Sequence, residues 1–191
     1  MKLFALVGFA GFFAFDLGAQ AKPPEPFVDN GACPFEGCVY RDWIATEVVS
    51  ARVARRENAR VAFTVKKGER VRALSGVVIT TKAGRVEFLK AMDIQSNSGK
   101  IHIEPNETLF LLTYQGEGFM KVWLKGKVYD GVEVVLFYDE ICTKDPQRCG
   151  ARLVAEPVCV WWVKIRNRRG QVGWIDQPSK FDNKDALARS S

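Results

Sequence analysis

From Val61 onward the chain alternates short apolar runs with turn formers, and no long stripe of helical period interrupts them. Residues 61–65 (VAFTV) alternate and are β-branched, KKGE at 66–69 is a turn, and RVRAL at 70–74 alternates again. A further strand is expected at 77–81, and Ala83-Gly84 turns the chain into another at 85–89. The second half repeats this grammar, with strands at 100–103, 108–114, 119–124 and 127–129 separated by polar or glycine-containing turns. Residues 132–138 are strongly apolar and 139–157 form a long excursion. The chain returns as a strand at 158–165, turns through 166–170 and closes at 171–175. Between Val48 and Val61 an amphipathic helix competes with two strands flanking Arg56-Glu57-Asn58; the valines favour the strands. The pattern predicts a mainly all-β chain folded as small β-barrels.

The first residues follow another logic. Lys2 precedes an apolar run at 3–15, and Ala19-Gln20-Ala21 is an A-x-A site, so residues 1–21 are expected to be a signal peptide cut before Lys22. The run falls short of the roughly 20 apolar residues needed to cross a bilayer, and Asp16 shortens it further, so no transmembrane anchor is expected after cleavage. The expected location is periplasmic or secreted. Prolines 23, 24 and 26 predict an extended linker over 22–32. Expected beyond it are a first β unit at 33–98, a second at 99–180 and a flexible tail at 181–191.

Composition refines this picture. Apolar residues make up 47% of the chain, which excludes wholesale disorder, and the net charge of +6 suits an anionic polymer or surface. Five cysteines follow the cleavage site, and in an exported chain they point to disulfides. Short loops with turn residues favour Cys33–Cys38 across CPFEGC and Cys142–Cys149 across CTKDPQRC, with Cys159 reduced. A competing pattern joins Cys159 to Cys38 or Cys149. Neither cysteine spacing matches a zinc site, and no metal or cofactor is expected.

Two stretches acquire meaning together: FTVKKGERVRALSG at 63–76 and WWVKIRNRRGQVGWI at 161–175. They resemble bacterial SH3-like domains, in which a strand runs into a K-K-G-E/D turn and a later W-x-x-V…G-x-x-G-W-V hairpin ends the barrel. Thr108 to Trp123, with its Gly-Glu-Gly turn, looks like the start of a second such barrel. The first unit lacks the closing Gly-Trp pair and the second is split by the excursion, so one barrel or two remain open. The resemblance implies a non-catalytic binding or scaffolding module whose ligand is a cell-wall peptide or an envelope protein, with no nucleic acid partner expected.

The residue chemistry agrees with a non-enzyme reading. His102 is the only histidine, in the strand-like KIHI, and no nucleophile motif or phosphate loop occurs. A wall hydrolase or transpeptidase with an unfamiliar site, or a binder of acidic polymer, are the alternatives. Candidate ligand-groove aromatics are Trp43, Tyr114, Trp123 and Trp162. Along 160–165, period two puts Trp161 with Val163 and Ile165 on an apolar inner face, leaving Trp162 exposed beside Lys164 and Trp174 as a structural anchor. The candidate basic patch is Arg55, Arg56, Lys66 and Lys67, with Arg52, Arg60, Arg70 and Arg72 nearby in sequence.

Overall fold

The computed structural model describes residues 21–188. Five strands come first: β1 (Phe27–Asn30), β2 (Asp42–Ala45), β3 (Val49–Arg52), β4 (Val61–Val65) and the long β5 (Arg70–Lys82). Seven follow, β6 (Gly84–Phe88), β7 (Met92–Ser96), β8 (Gly99–Ile103), β9 (Thr108–Gly116), β10 (Phe119–Leu124), β11 (Lys127–Glu133) and, after short helices α1 (Val135–Tyr138), α2 (Glu140–Lys144) and α3 (Pro146–Cys149), β12 (Ala151–Ala155). The chain ends in β13 (Val158–Arg166), β14 (Val172–Ile175) and β15 (Phe181–Asp182). The architecture is all-β, as the alternation predicts, and residues 48–61 are two strands joined by a loop rather than a helix.

Pairing is antiparallel, and it divides the chain in an order the sequence does not display. An eight-stranded curled sheet runs β15-β2-β5-β13-β14-β3-β4, with β1 also on β5. A five-stranded sheet runs β11-β10-β9-β6-β12, and β7–β8 is a separate hairpin. Two apolar clusters match these sheets. One gathers Trp43, Val65, Val71, Val163, Ile165, Ile175 and Phe181; the other gathers residues between Val86 and Ala151. The second unit is thus inserted between β5 and β13 of the first. The expected cut between 98 and 99 falls instead in the tight turn of the β7–β8 hairpin. Long-range pairing of β5 with β13, invisible to local pattern, overrides the linear division.

Two further expectations are corrected. The segment 22–32 is not only a spacer: Phe27–Asn30 pair with Val77–Thr80, using an edge that β5 leaves free beyond β2. Asp29 in this strap is buried and held by Lys121 Nζ at 2.7 Å. The described part of the expected tail, 181–188, is tied down, because Phe181 is fully buried and Cys38 forms an isolated β-bridge with Asp185. The apolar run at 132–138 is half strand, half helical turn. The expected signal peptide lies outside the described residues, except Ala21.

Both expected disulfides are present, Cys33–Cys38 and Cys142–Cys149, and Cys159 is free. They place the folded chain in an oxidising, extracytoplasmic setting. Among the described residues, no helix is long and apolar enough to cross a membrane. In the final hairpin, Gly173 faces Ala51 so closely that an added Cβ would lie 2.9 Å from the alanine methyl, which is why glycine stands there.

Candidate functional site

The site is built where β11 stops being a strand. β11 ends at Glu133, and the residues VVLFY at 134–138 contain no turn former; Val134 stands at the N-cap and the remaining four fold into the single turn α1. Val134 and Phe137 point into the inserted core, Phe137 meeting Phe88 edge to face at 5.7 Å. Val135, Leu136 and Tyr138 point outward. Asp139 then caps α2, its carboxylate accepting from the Ile141 N–H at 2.7 Å. Asp145 and Pro146 start α3, and Gly150 ends it in the left-handed conformation. The Cys142–Cys149 disulfide clasps α2 to α3 with Cys142 inward, leaving Ile141 outward.

The result is an apolar ridge at the surface. Val135 is 52% exposed, Leu136 43% and Ile141 52%, with Tyr138 similarly open. On one side lies a cavity of about 410 Å³ against Met92 and Ile94 of the β7–β8 hairpin. On the other lies one of about 420 Å³ against Tyr114, Met120 and Pro157. Every charged residue lining the two is acidic: Asp93, Glu133, Asp139 and Glu156. In a chain of net charge +6 this is a local inversion of sign. Contiguous exposed apolar surface beside concave grooves is the usual signature of an interaction site.

The structure scatters the residues expected to bind ligand. Trp43 is fully buried at the centre of the first core. Trp162 is only 4% exposed and the next residue along the strand, Val163, which points the other way, is fully buried, so both faces of β13 are covered at this point. The expectation of an exposed Trp162 assumed a half-wet strand; β13 is central in its sheet. Trp161 does share the inner face, packing on Trp43 and Phe35, yet it keeps more exposure than Trp162. Trp174 lies on the outer face opposite Lys164, and Ile175 fills the core position instead. Trp123 donates from Nε1 to the Ala21 carbonyl at 2.7 Å. Of the four candidates only Tyr114 lines one of the two ridge grooves.

The basic candidates do not form one patch. Arg55 and Arg56 sit in the loop before β4, and Lys66 and Lys67 in the turn after it, separated by a five-residue strand about 16 Å long. The sequence signal that could have found the ridge is the failure of alternation at 134–138 beside a disulfide-clasped excursion.

Other reactive groups are accounted for locally. Burial pushes the Cys159 thiol up, although the residue keeps an exposed edge, and its sulfur meets Thr80 Oγ1 at 3.4 Å and the Leu112 carbonyl at 3.3 Å. Among the described residues no three His, Cys, Asp or Glu converge as a metal site. His102 stands on the β7–β8 hairpin directly across from Asp93, whose Oδ1 lies 2.7 Å from Nδ1; Glu104 lies 3.3 Å from Nε2. The Asp93 hydrogen bond holds the imidazole above its ordinary value, and the same bond holds Asp93 below the usual carboxylate value.

A pH dependence follows with opposite signs at the two ends. A raised imidazole contributes stability below its ordinary range and loses it as pH rises through the folded-state value; a depressed carboxylate contributes above its ordinary range and loses it as pH falls through its folded-state value. Amide protection of the β7–β8 hairpin is therefore expected to peak at mildly acidic pH, between the carboxylate and imidazole ranges, and to fall as pH rises through the folded-state imidazole value. Both side chains are solvent-exposed, so the effect is small. An NMR titration of His102 that is unmoved by Asp93→Asn would exclude this coupling.

No family model matches this chain, and neither a curated protein nor a solved structure matches it.

Proposed function

We infer that the protein is a non-catalytic binding and scaffolding module of the cell envelope, and that it docks a protein segment across the α1 ridge. The observation that carries this reading is the apolar ridge between two grooves whose charged rim is wholly acidic. Such a surface fits an amphipathic segment with apolar anchors and flanking lysines or arginines. A cell-wall stem peptide, small and rich in carboxylates, fits it less well. The disulfide clasp supports the reading as well, since it limits the entropy that α2 and α3 lose on binding.

The test uses two labelled synthetic peptides of identical helical spacing, one of Leu and Lys, the other of Leu and Glu, followed by fluorescence anisotropy. The Leu/Lys peptide is expected to bind saturably and the Leu/Glu peptide at least tenfold more weakly. Leu136→Asp should abolish the first interaction while leaving the urea midpoint nearly unchanged, because Leu136 is outside the core. Equal binding of both peptides, or binding of neither, would overturn the assignment.

A further inference from the structure

The charge of this protein is not spread evenly. Residues 39–82 and 158–188, which build the curled sheet, carry 16 Lys and Arg against 7 Asp and Glu. The inserted residues 83–157 carry 9 against 11. Much of the first unit's charge stands in register on the outer face of its sheet. Arg166 on β13 lies directly opposite Arg72 on β5. Like charges placed opposite each other across strands destabilise a sheet.

The pair is not neutralised. A groove of about 250 Å³ runs beside it, lined by Arg70, Arg72, Arg166 and Arg168, with Asp42 as its one carboxylate. Asp42 is engaged by Arg72 at 3.5 Å, and both side chains are about half exposed, so this contact offsets little. Among the described residues no carboxylate pairs with Arg70, Arg166 or Arg168. The turn that presents Arg168 is held by its own side chains: Asn167 Oδ1 accepts from the Arg169 and Gln171 N–H groups, each at 3.0 Å.

The positive face continues across the sheet. Lys164 pairs with Trp174 on β14, and Trp174 with Arg52 on β3, which puts these side chains on the same face as Arg166 two residues along. The Arg55 guanidinium sits over the Trp174 ring at 5.2 Å and the Lys164 ammonium at 5.8 Å. From β5 to β3 this row crosses three strand spacings, about 14 Å.

We propose that this outer face is a binding site for an acidic glycopolymer carrying phosphate or sulfate groups. One oxyanion is seated in the Arg70–Arg72–Arg166–Arg168 groove, and the continuing chain runs along Lys164, Arg52 and Arg55. Arginine is suited to such groups because its planar fork donates two parallel hydrogen bonds. The disulfides place the chain where envelope polymers, rather than nucleic acids, are met. Arg55 also occupies a face of the Trp174 ring on which a nucleic-acid base would stack. This site is independent of the α1 ridge.

The experiment follows intrinsic tryptophan fluorescence of the full chain titrated with heparin, with a phosphodiester-linked teichoic acid and with single-stranded DNA, over a range of salt. Binding to heparin, to teichoic acid or to both is expected, and which of them binds identifies sulfate or phosphate as the group recognised. The double variant Arg72→Ser/Arg166→Thr should lose at least tenfold in affinity and about 2 in the slope of log K against log salt. Its urea midpoint should hold or rise, since a repulsive pair is removed; a purely structural pair would move the other way. Lys125→Ser/Lys127→Ser, an equal loss of charge in the inserted unit, should change affinity much less. Equal losses in the two double variants, tighter binding of DNA than of either glycopolymer, or no binding at all would overturn the proposal.

Discussion

Replacing Trp43 with alanine is expected to cost about 3–5 kcal/mol, the range seen when a large buried aromatic is truncated. The side chain is fully buried. It stacks on Tyr40 with ring centroids 6.1 Å apart, and packs on Trp161 and Phe181 at 5.9 Å each. Its Nε1 donates to the Val39 carbonyl at 2.9 Å. These partners come from the residue's own segment and two distant ones, so the cavity cannot close by a shift of one segment. Against a typical domain stability of about 5–15 kcal/mol, the loss leaves the first unit marginal. Hydrogen exchange should rise together in 31–45 and 178–187, since β2 and β15 are joined at this core. Urea unfolding of Trp43→Ala and Trp43→Phe checks it. A loss below about 1 kcal/mol for the alanine variant would mean that the three segments do not share this core.

Removing residues 83–157 and closing the gap with Asn-Gly is expected to leave a folded curled sheet, and the excised segment is expected to fold alone. Lys82 and Val158 are cross-strand partners, so their Cα atoms are already about 5 Å apart, the distance a two-residue hairpin turn spans. The ends of the inserted segment also meet, because Arg85 pairs with Ala155. The two apolar clusters share no residue. What is lost is the seam: the Asp29–Lys121 ion pair, the Thr80 Oγ1 hydrogen bond to the Leu112 carbonyl, and Cys159 at the same carbonyl. Each half should therefore be less stable than in the whole chain yet cooperative in its own unfolding. Circular dichroism and urea melts of both fragments decide this; two unstructured fragments would show that the cores depend on one another.

Much of the fold was legible because its causes are local. Alternation in VAFTV and RVRAL, the glycine-rich turns and the two short cysteine loops each depend on residues close in sequence, and strands, turns and disulfides formed there. Trp161 was likewise placed on the inner face by period two alone. The same rule failed for Trp162, because it says which residues share a face but not whether that face is covered. At 134–138 it assigns nothing, because a short apolar run supports strand and helical turn equally until packing against Phe88 selects one.

The candidate surfaces were less legible still. Arg72 and Arg166 are far apart in sequence and become neighbours only through the β5–β13 register. Arg55 and Lys66 look close in sequence and are held apart by the strand between them. By itself, the sequence determined most of the strands, their turns, the favoured disulfide partners and the sign of the overall charge, all set by neighbours along the chain. Only the tertiary structure decided that one unit is inserted in the other, which tryptophans are sealed in, and where apolar and cationic side chains gather. Those outcomes rest on long-range strand pairing, whose loop-closure entropy is offset by burial of a shared core, and no local pattern encodes the register of that pairing.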